Sequence, residues 1–294
     1  FLMSFLQQRK IERSVMEKNK KTINKKIVFY VLLTLLAIIW LIPIFTVFLT
    51  SIKSTQDFYT GVGLFELPKQ FQWSNFTDAW NTGRLGLYMK NGLIVCFLKV
   101  PLGIVCSSLL AFALTRLSIP HSRAIFIFVL VGMMLPLQSV LIPLNILFSR
   151  LNLTNTYFCL FFSYIGFGIP LGTLIFRGFF KGIPKELDEA AYIDGCGNMK
   201  LYIKVILPLA KPAIATVFII DFLNTWNEFM VQSVLITNDS MKTVPNGLLS
   251  FFGEFTVDYG LLNAGVLITI IPVLLVYLLF QKYFVNGMAG AVKG

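Results

Sequence analysis

Two carboxylates in the middle of an apolar stretch, Asp221 and Glu228, are the groups of this chain best placed to do chemistry. They are the only acids in any of its long apolar runs. An ionisable group at membrane depth is costly unless it meets water or a partner, so such a position marks a functional candidate. At about 100° per residue, a continuous helix puts Asp221, Thr225, Glu228 and Gln232 on one side, with Asn224 at the border. Amide, hydroxyl and carboxylate groups on one face suit a polyhydroxylated solute, because each solute hydroxyl both donates and accepts a hydrogen bond. Gln138 and Asn145, two turns apart in another run, would line the same cavity. The same groups serve equally as interhelical hydrogen-bond glue that never touches solute. Lys99 lies inside a further run, its role open between snorkelling and pairing with an acid. Trp226 falls on the opposite face of its helix and reads as an interhelical or interfacial side chain. Gly168 and Gly172 have the spacing that lets helices approach closely.

Catalysis has little to work with. The single histidine, His121, sits in a short loop, there is no His-Glu-x-x-His, and no Ser or Cys has a base at fixed spacing. Cys96, Cys106, Cys159 and Cys196 lack metal-ligand spacing, and three of them fall inside apolar runs, so they read as small buried hydrophobes and no metal site is expected. A phosphate-binding Gly-x-x-x-x-Gly-Lys-Ser/Thr loop is missing, which leaves any nucleotide chemistry to another polypeptide.

The elements that must position these residues are membrane spans. Apolar residues make up 56% of the 294, charged residues only 13%, and mean hydropathy is +0.76. That leaves too little polar surface to clothe a soluble globule. Apolar runs cover 27–50, 92–115, 124–148, 156–180, 213–236 and 263–285, each long enough to cross about 30 Å of hydrocarbon as a helix. The expected fold is therefore all-α and integral to the membrane, with six transmembrane helices in one domain over 27–285. The net charge of +11 comes from basic residues that flank the runs, not from a basic groove with stacking aromatics, so nucleic acid is not the partner and lipid is. Eighteen Lys and Arg fall on one side of the six spans and six on the other. This bias places both termini in the cytoplasm. Residues 1–26 form a basic cytoplasmic tail without the apolar core of a cleavable signal, and 1–15, which precede Met16, are set aside as leader or appended sequence. The long outer segment 51–91, with Tyr59, Trp73 and Trp80, is expected to lie along the membrane surface.

The cytoplasmic segment 181–212 is long for a turn between helices, which usually takes about 2–8 residues. Pro184 suits a first helical position, Glu186, Asp188 and Glu189 fill the opening turns, and Gly195 supplies a stop. A second short helix, roughly Asn198 to Leu207, is closed by Pro208 and Pro212. The expectation is a helix-turn-helix elbow joined to the fourth and fifth spans. Within it, Glu189-Ala190-Ala191 is followed after three residues by Gly195, after nine more by Val205, and then by Leu207-Pro208. This spacing resembles the signature loop of ATP-binding-cassette importer permeases, with Val205 in place of the usual Ile. The string from Pro184 to Gly195, Leu207-Pro208-Leu209-Ala210-Lys211-Pro212, Trp226-Asn227-Glu228-Phe229 and the tail Asn286 to Gly294 look similar to the second permease of maltose-type systems.

That resemblance, over about residues 20–294, implies a type I importer permease fold in a bacterial cytoplasmic (inner) membrane. It implies that the elbow, residues 184–208, docks into a cleft of a separate ATPase. Glu189 would pair with a basic residue there, Ala190 and Ala191 would permit close approach, and Gly195 would make the turn, with Asp194, Leu207 and Pro208 completing the motif. The C-terminal tail, 286–294, would reach between two copies of the ATPase through Lys293 and Gly294. The implied partners are a second, homologous permease, those two ATPases and an extracytoplasmic solute-binding protein. ATP and Mg would sit on the ATPases, and this chain would bind no cofactor. The implied solute is a sugar or oligosaccharide. An amino acid or polyamine permease is the nearest alternative, ahead of a self-sufficient secondary transporter or an intramembrane enzyme.

Overall fold

The first, second, fourth and sixth apolar runs each fall in one span-length helical stretch, the third is a pair of helices bent by 94°, and the fifth is interrupted at 227–229. The computed structural model describes residues 2–253 and 256–291, with side chains at 25–253 and 256–282. Its long elements are α1 (Leu2–Ser51), α2 (Leu85–Arg116), α3 (Ser122–Val131), α4 (Leu137–Arg150), α5 (Tyr157–Lys181), α6 (Glu186–Ile193), α7 (Lys211–Trp226), α8 (Met230–Leu235), α9 (Tyr259–Thr269) and α10 (Ile271–Ala291). Among the described residues the only β-pairing is one antiparallel bridge between Phe252 and Val257.

The third run does not form one straight helix. α3 passes through a tight turn at Gly132–Met134, and α4 leaves at 94° after Pro136. Pro136 forces its predecessor, Leu135, into extended backbone (φ −73°, ψ 125°), which ends the helix. The fifth run also breaks. α7 stops at Trp226, Asn227 to Phe229 are non-helical, and α8 restarts at Met230. The four-residue polar face expected of a continuous helix is therefore cut between Thr225 and Glu228. Non-helical backbone at membrane depth survives only where protein or a water-filled cavity satisfies it, so the two breaks locate a polar site.

α2 is the central member. It packs along α5 and is also crossed by α7, which rests in turn on α5 and α10. The helix starts seven residues ahead of the expected span and runs through Pro101 without interruption. The buried core follows these contacts: Leu85, Val100 and Phe112 of α2 meet Phe176 and Phe180 of α5 and Phe222 and Trp226 of α7. Trp226 stacks on Phe222 at 5.9 Å and covers Gly92, where an added Cβ would lie 3.1 Å from the indole, so it is interhelical packing. In contrast, α1 leaves nearly every side chain from Ile27 to Phe45 exposed and meets the rest of the chain mainly at α9. A helix apolar all round and uncovered by its own chain has lipid or another membrane helix as its solvent. In the segment 51–91 Tyr59, Trp73 and Trp80 are exposed, while Lys53 is fully buried with its ammonium donating to the Gly63 carbonyl at 2.7 Å.

Candidate functional site

Both helix breaks open on the same space, a cavity of about 290 Å³. Its apolar wall includes Met133 and Leu135 from the break after α3, Phe167 and Leu171 of α5, and Val217 and Ile220 of α7. The polar part consists of Lys99, Asp221, Asn224, Thr225, Tyr164 and Glu228. Lys99 of α2 is ion-paired with Asp221 of α7, and their side chains are only 3% and 12% exposed. Space for the pair comes from missing side chains: a Cβ on Gly168 would lie 2.8 Å from the Lys99 Nζ, and one on Gly103 would lie 3.2 Å from an Asp221 oxygen. Gly168 therefore leaves room for a charge pair, whereas Gly172, four residues on, makes room for the Ser107 side chain.

Glu228 is held from three directions. It accepts from the Tyr164 hydroxyl at 2.6 Å, and from the backbone N–H groups of Val231 (2.8 Å) and Gln232 (3.2 Å). The carboxylate thus closes the break by taking donors that the start of α8 leaves free. On the other side of the break, the Asn227 amide donates to the Leu223 carbonyl at 3.0 Å.

Of the residues expected along a solute pathway, Asp221, Asn224, Thr225 and Glu228 line this cavity and the others do not. Gln232 is fully buried away from the cavity, accepting from the Thr243 hydroxyl at 2.7 Å. Its position on the expected face presumed a helix that is broken at Asn227. Gln138 and Asn145 do not line the cavity; the Gln138 amide instead reaches the Met230 sulfur at 3.6 Å, joining α4 to α8. Thr225 lines the wall, but its hydroxyl is already donated to the Asp221 carbonyl at 2.7 Å. Lys99, which the sequence left open, is the missing partner.

The expected elbow forms with small changes. α6 opens at Glu186, two residues after Pro184, and ends at a turn in which Gly195 has φ +74°. Only glycine adopts that conformation without strain. Glu189, Ala190, Asp194 and Gly195 are exposed, and Ile193 is 87% exposed. Ala191 is buried in the chain's own core, so of the two alanines Ala190 alone faces outward. The second arm is not closed by Pro208. It runs as helix from Asn198, as a π turn over Tyr202–Ile206, and again as helix through Leu207–Leu209, before bending by 77° into α7. Pro208 has no N–H and its ring crowds the carbonyl four residues back, that of Lys204, which falls inside the π turn. Leu207 is half-buried and Pro208 exposed.

An anchor absent from the sequence reading fastens this elbow. Arg116, the last residue of α2, donates through Nη1 to Asp188 of α6 at 2.8 Å. Its Nη2 reaches the carbonyls of Phe180 (2.7 Å), in the last turn of α5, and Ile183 (2.8 Å), just beyond it.

Residues 99–290 match the family model described as the binding-protein-dependent transport system inner membrane component. The chain belongs to this family. Within that family of inner-membrane permeases, it is 34% identical to a probable ABC transporter permease of Bacillus subtilis (strain 168), YurM, over 90% of its own length and 87% of the relative's. It is 34% identical to the probable starch degradation products permease AmyC of Thermoanaerobacterium thermosulfurigenes, covering 88% and 93%. Its identity to the diacetylchitobiose uptake permease NgcG of Streptomyces coelicolor is 31%, covering 90% and 86%. Among solved structures, a permease chain of a bacterial ABC transporter that imports the acidic polysaccharide alginate superposes with a TM-score of 0.71 at 25% identity, over 88% of this chain and 95% of the other. The fold is that of a type I importer permease. Both the cavity and the elbow fall within the matched residues, as does Lys99, the first of them.

Proposed function

We propose that this permease carries a neutral sugar or oligosaccharide and forms one half of the pathway, facing a second, homologous permease. The observation that carries the reading is the convergence of two broken spans on one cavity whose polar groups are fixed before any solute arrives. A volume of about 290 Å³ is at the low end of the roughly 300–1,000 Å³ typical of small-molecule sites, which fits one sugar ring per half-pathway. Asp221 is neutralised by Lys99, and Glu228 is held by three donors. Glu228, whose oxygens are already engaged by neutral donors, is then the one carboxylate of the lining without a cation, which favours hydroxyl groups over a polyamine carrying several positive charges. The relatives that transport starch degradation products and diacetylchitobiose support the same class.

An extracytoplasmic binding protein delivers solute from outside, both termini being cytoplasmic. Of the two ATPase subunits, which hold ATP and Mg, one docks on α6 of this chain through exposed Glu189, Ala190, Asp194 and Gly195, with Leu207 and Pro208 shaping the second arm. Lys293 and Gly294, assigned to the same partner, lie outside the described residues. The test is uptake of a labelled panel of mono-, di- and trisaccharides and amino acids in cells lacking the chain, complemented with the native sequence or Glu189→Arg. Loss of one saccharide's uptake, restored only by the native chain, is expected. Loss of amino-acid uptake alone would discard the sugar, and full rescue by Glu189→Arg would discard the docking surface.

A further inference from the structure

The elbow is covalently joined to α5 and α7, yet its polar ties run to α2. Arg116 holds the first arm through Asp188, and the same guanidinium gathers the Phe180 and Ile183 carbonyls where α5 leads into the elbow. On the second arm, the Tyr202 hydroxyl lies 2.7 Å from Ser108 Oγ of α2, and its ring rests on Phe112 of α2 at 5.2 Å. Ser108 and Tyr202 are both buried. Each arm of the elbow therefore has its own fastening to the cytoplasmic third of one helix. Seventeen residues before Arg116, that helix carries Lys99, which grips Asp221 in the cavity wall. α2 is thus the element with polar ties to the elbow at one end and to the cavity at the other.

We propose that Arg116 is a positioning residue for energy coupling: with Asp188, and with Tyr202 on Ser108, it makes α2 the element that carries displacement of the elbow to the Lys99–Asp221 pair. This rests on α6 being the ATPase docking surface. A guanidinium suits the task because its planar fork serves a carboxylate and two carbonyls at once, each in a fixed direction. A lysine at 116 could keep the charge pair but would lose most of that geometry.

The test reads cavity accessibility, so it requires no knowledge of the solute. The complete assembly, purified with its partner subunits and placed in lipid nanodiscs, carries Ile220→Cys as this chain's sole cysteine. Ile220 lines the cavity and is half-buried. Labelling by a membrane-impermeant maleimide is timed with and without ATP plus orthovanadate, and trapped nucleotide is measured on the same samples. With native Arg116, trapping should change the labelling rate by about 10-fold, within the ordinary range for coupled sites. With Arg116→Gln, nucleotide should still be trapped while the rate changes less than about 2-fold, and Arg116→Lys should fall between. Glu189→Arg should abolish trapping itself. A full response in Arg116→Gln would overturn the proposal. So would loss of trapping in step with the response, as in Glu189→Arg, because Arg116 would then only fold the docking surface. If Arg116→Gln does not assemble, Arg116→Lys decides by the same two criteria. An unresponsive native assembly would instead remove the docking reading, and this inference with it.

Discussion

The cavity and the elbow each hold one buried ion pair, and the two pairs are equally hidden: the side chains are 3% and 12% exposed in Lys99–Asp221 and again in Arg116–Asp188. They differ in what surrounds the charges. Arg116 also donates through Nη2 to two backbone carbonyls, so its pair is one strand of a clamp. The Lys99 ammonium has Asp221 as its only hydrogen-bond partner among the described residues, and the glycine at 168 and the cavity on its other sides. The contrast teaches that equal burial can serve opposite ends. One pair fixes a joint, while the other keeps two charges compensated at the edge of an open cavity.

Breaking the cavity pair should have the largest effect. Lys99→Met strands a carboxylate inside the membrane and should cost about 3–5 kcal/mol of stability, whereas Lys99→Met with Asp221→Leu should recover most of that loss. A double-mutant cycle on unfolding in lipid nanodiscs measures both, and a double variant no better than the single would show that the pair does not act as a unit. Gly168→Ala comes next. The new Cβ would meet the ammonium and should displace the pair at a cost of about 1–3 kcal/mol, read by the same unfolding assay. At the clamp, Arg116→Lys keeps the charge and loses the fork, so a loss of about 1–2 kcal/mol is expected. A cost equal to that of Lys99→Met would erase the distinction between joint and cavity.

The smallest effect belongs to a third, exposed pair in the loop after α8, Lys242 with Asp239 at 2.5 Å. The Lys242 ammonium bonded to Asp239 holds this carboxyl below its usual range. A lowered folded-state value contributes stability that is present above the ordinary value of 3.8 and lost as pH falls through the folded one. Unfolding of the native chain and of Lys242→Ala should therefore differ slightly at neutral pH, converge in acid, and converge also in high salt.

Much of the elbow was legible because its determinants are local: acids in a first turn, a glycine at a left-handed turn, and fixed spacing along the motif. The exceptions required tertiary knowledge. Nothing in the sequence around Ala191 distinguishes a side chain that meets a partner from one that meets its own core, and Arg116 lies 72 residues from Asp188. In the cavity, the break after α3 had visible signals in Gly132 and Pro136, which a hydropathy run smooths over. The break at Asn227 had none of that kind, since residues 213–236 contain neither glycine nor proline. The helical wheel was therefore continued one turn too far, placing Gln232 in the wall. Lys99 had a usable signal, for a cation in one span and an acid in another would rather meet than remain apart in hydrocarbon.

The uninterrupted length of α2 has a mechanical consequence. Lys99 and Arg116 are seventeen residues apart, and at about 1.5 Å per residue this is a lever arm of about 25 Å. Pivoting such an arm by about 10° carries its far end through about 4 Å, more than the span of a hydrogen bond. An angular stroke too small to repack the core is therefore large enough, by leverage alone, to make or break an ionic contact in the middle of the membrane.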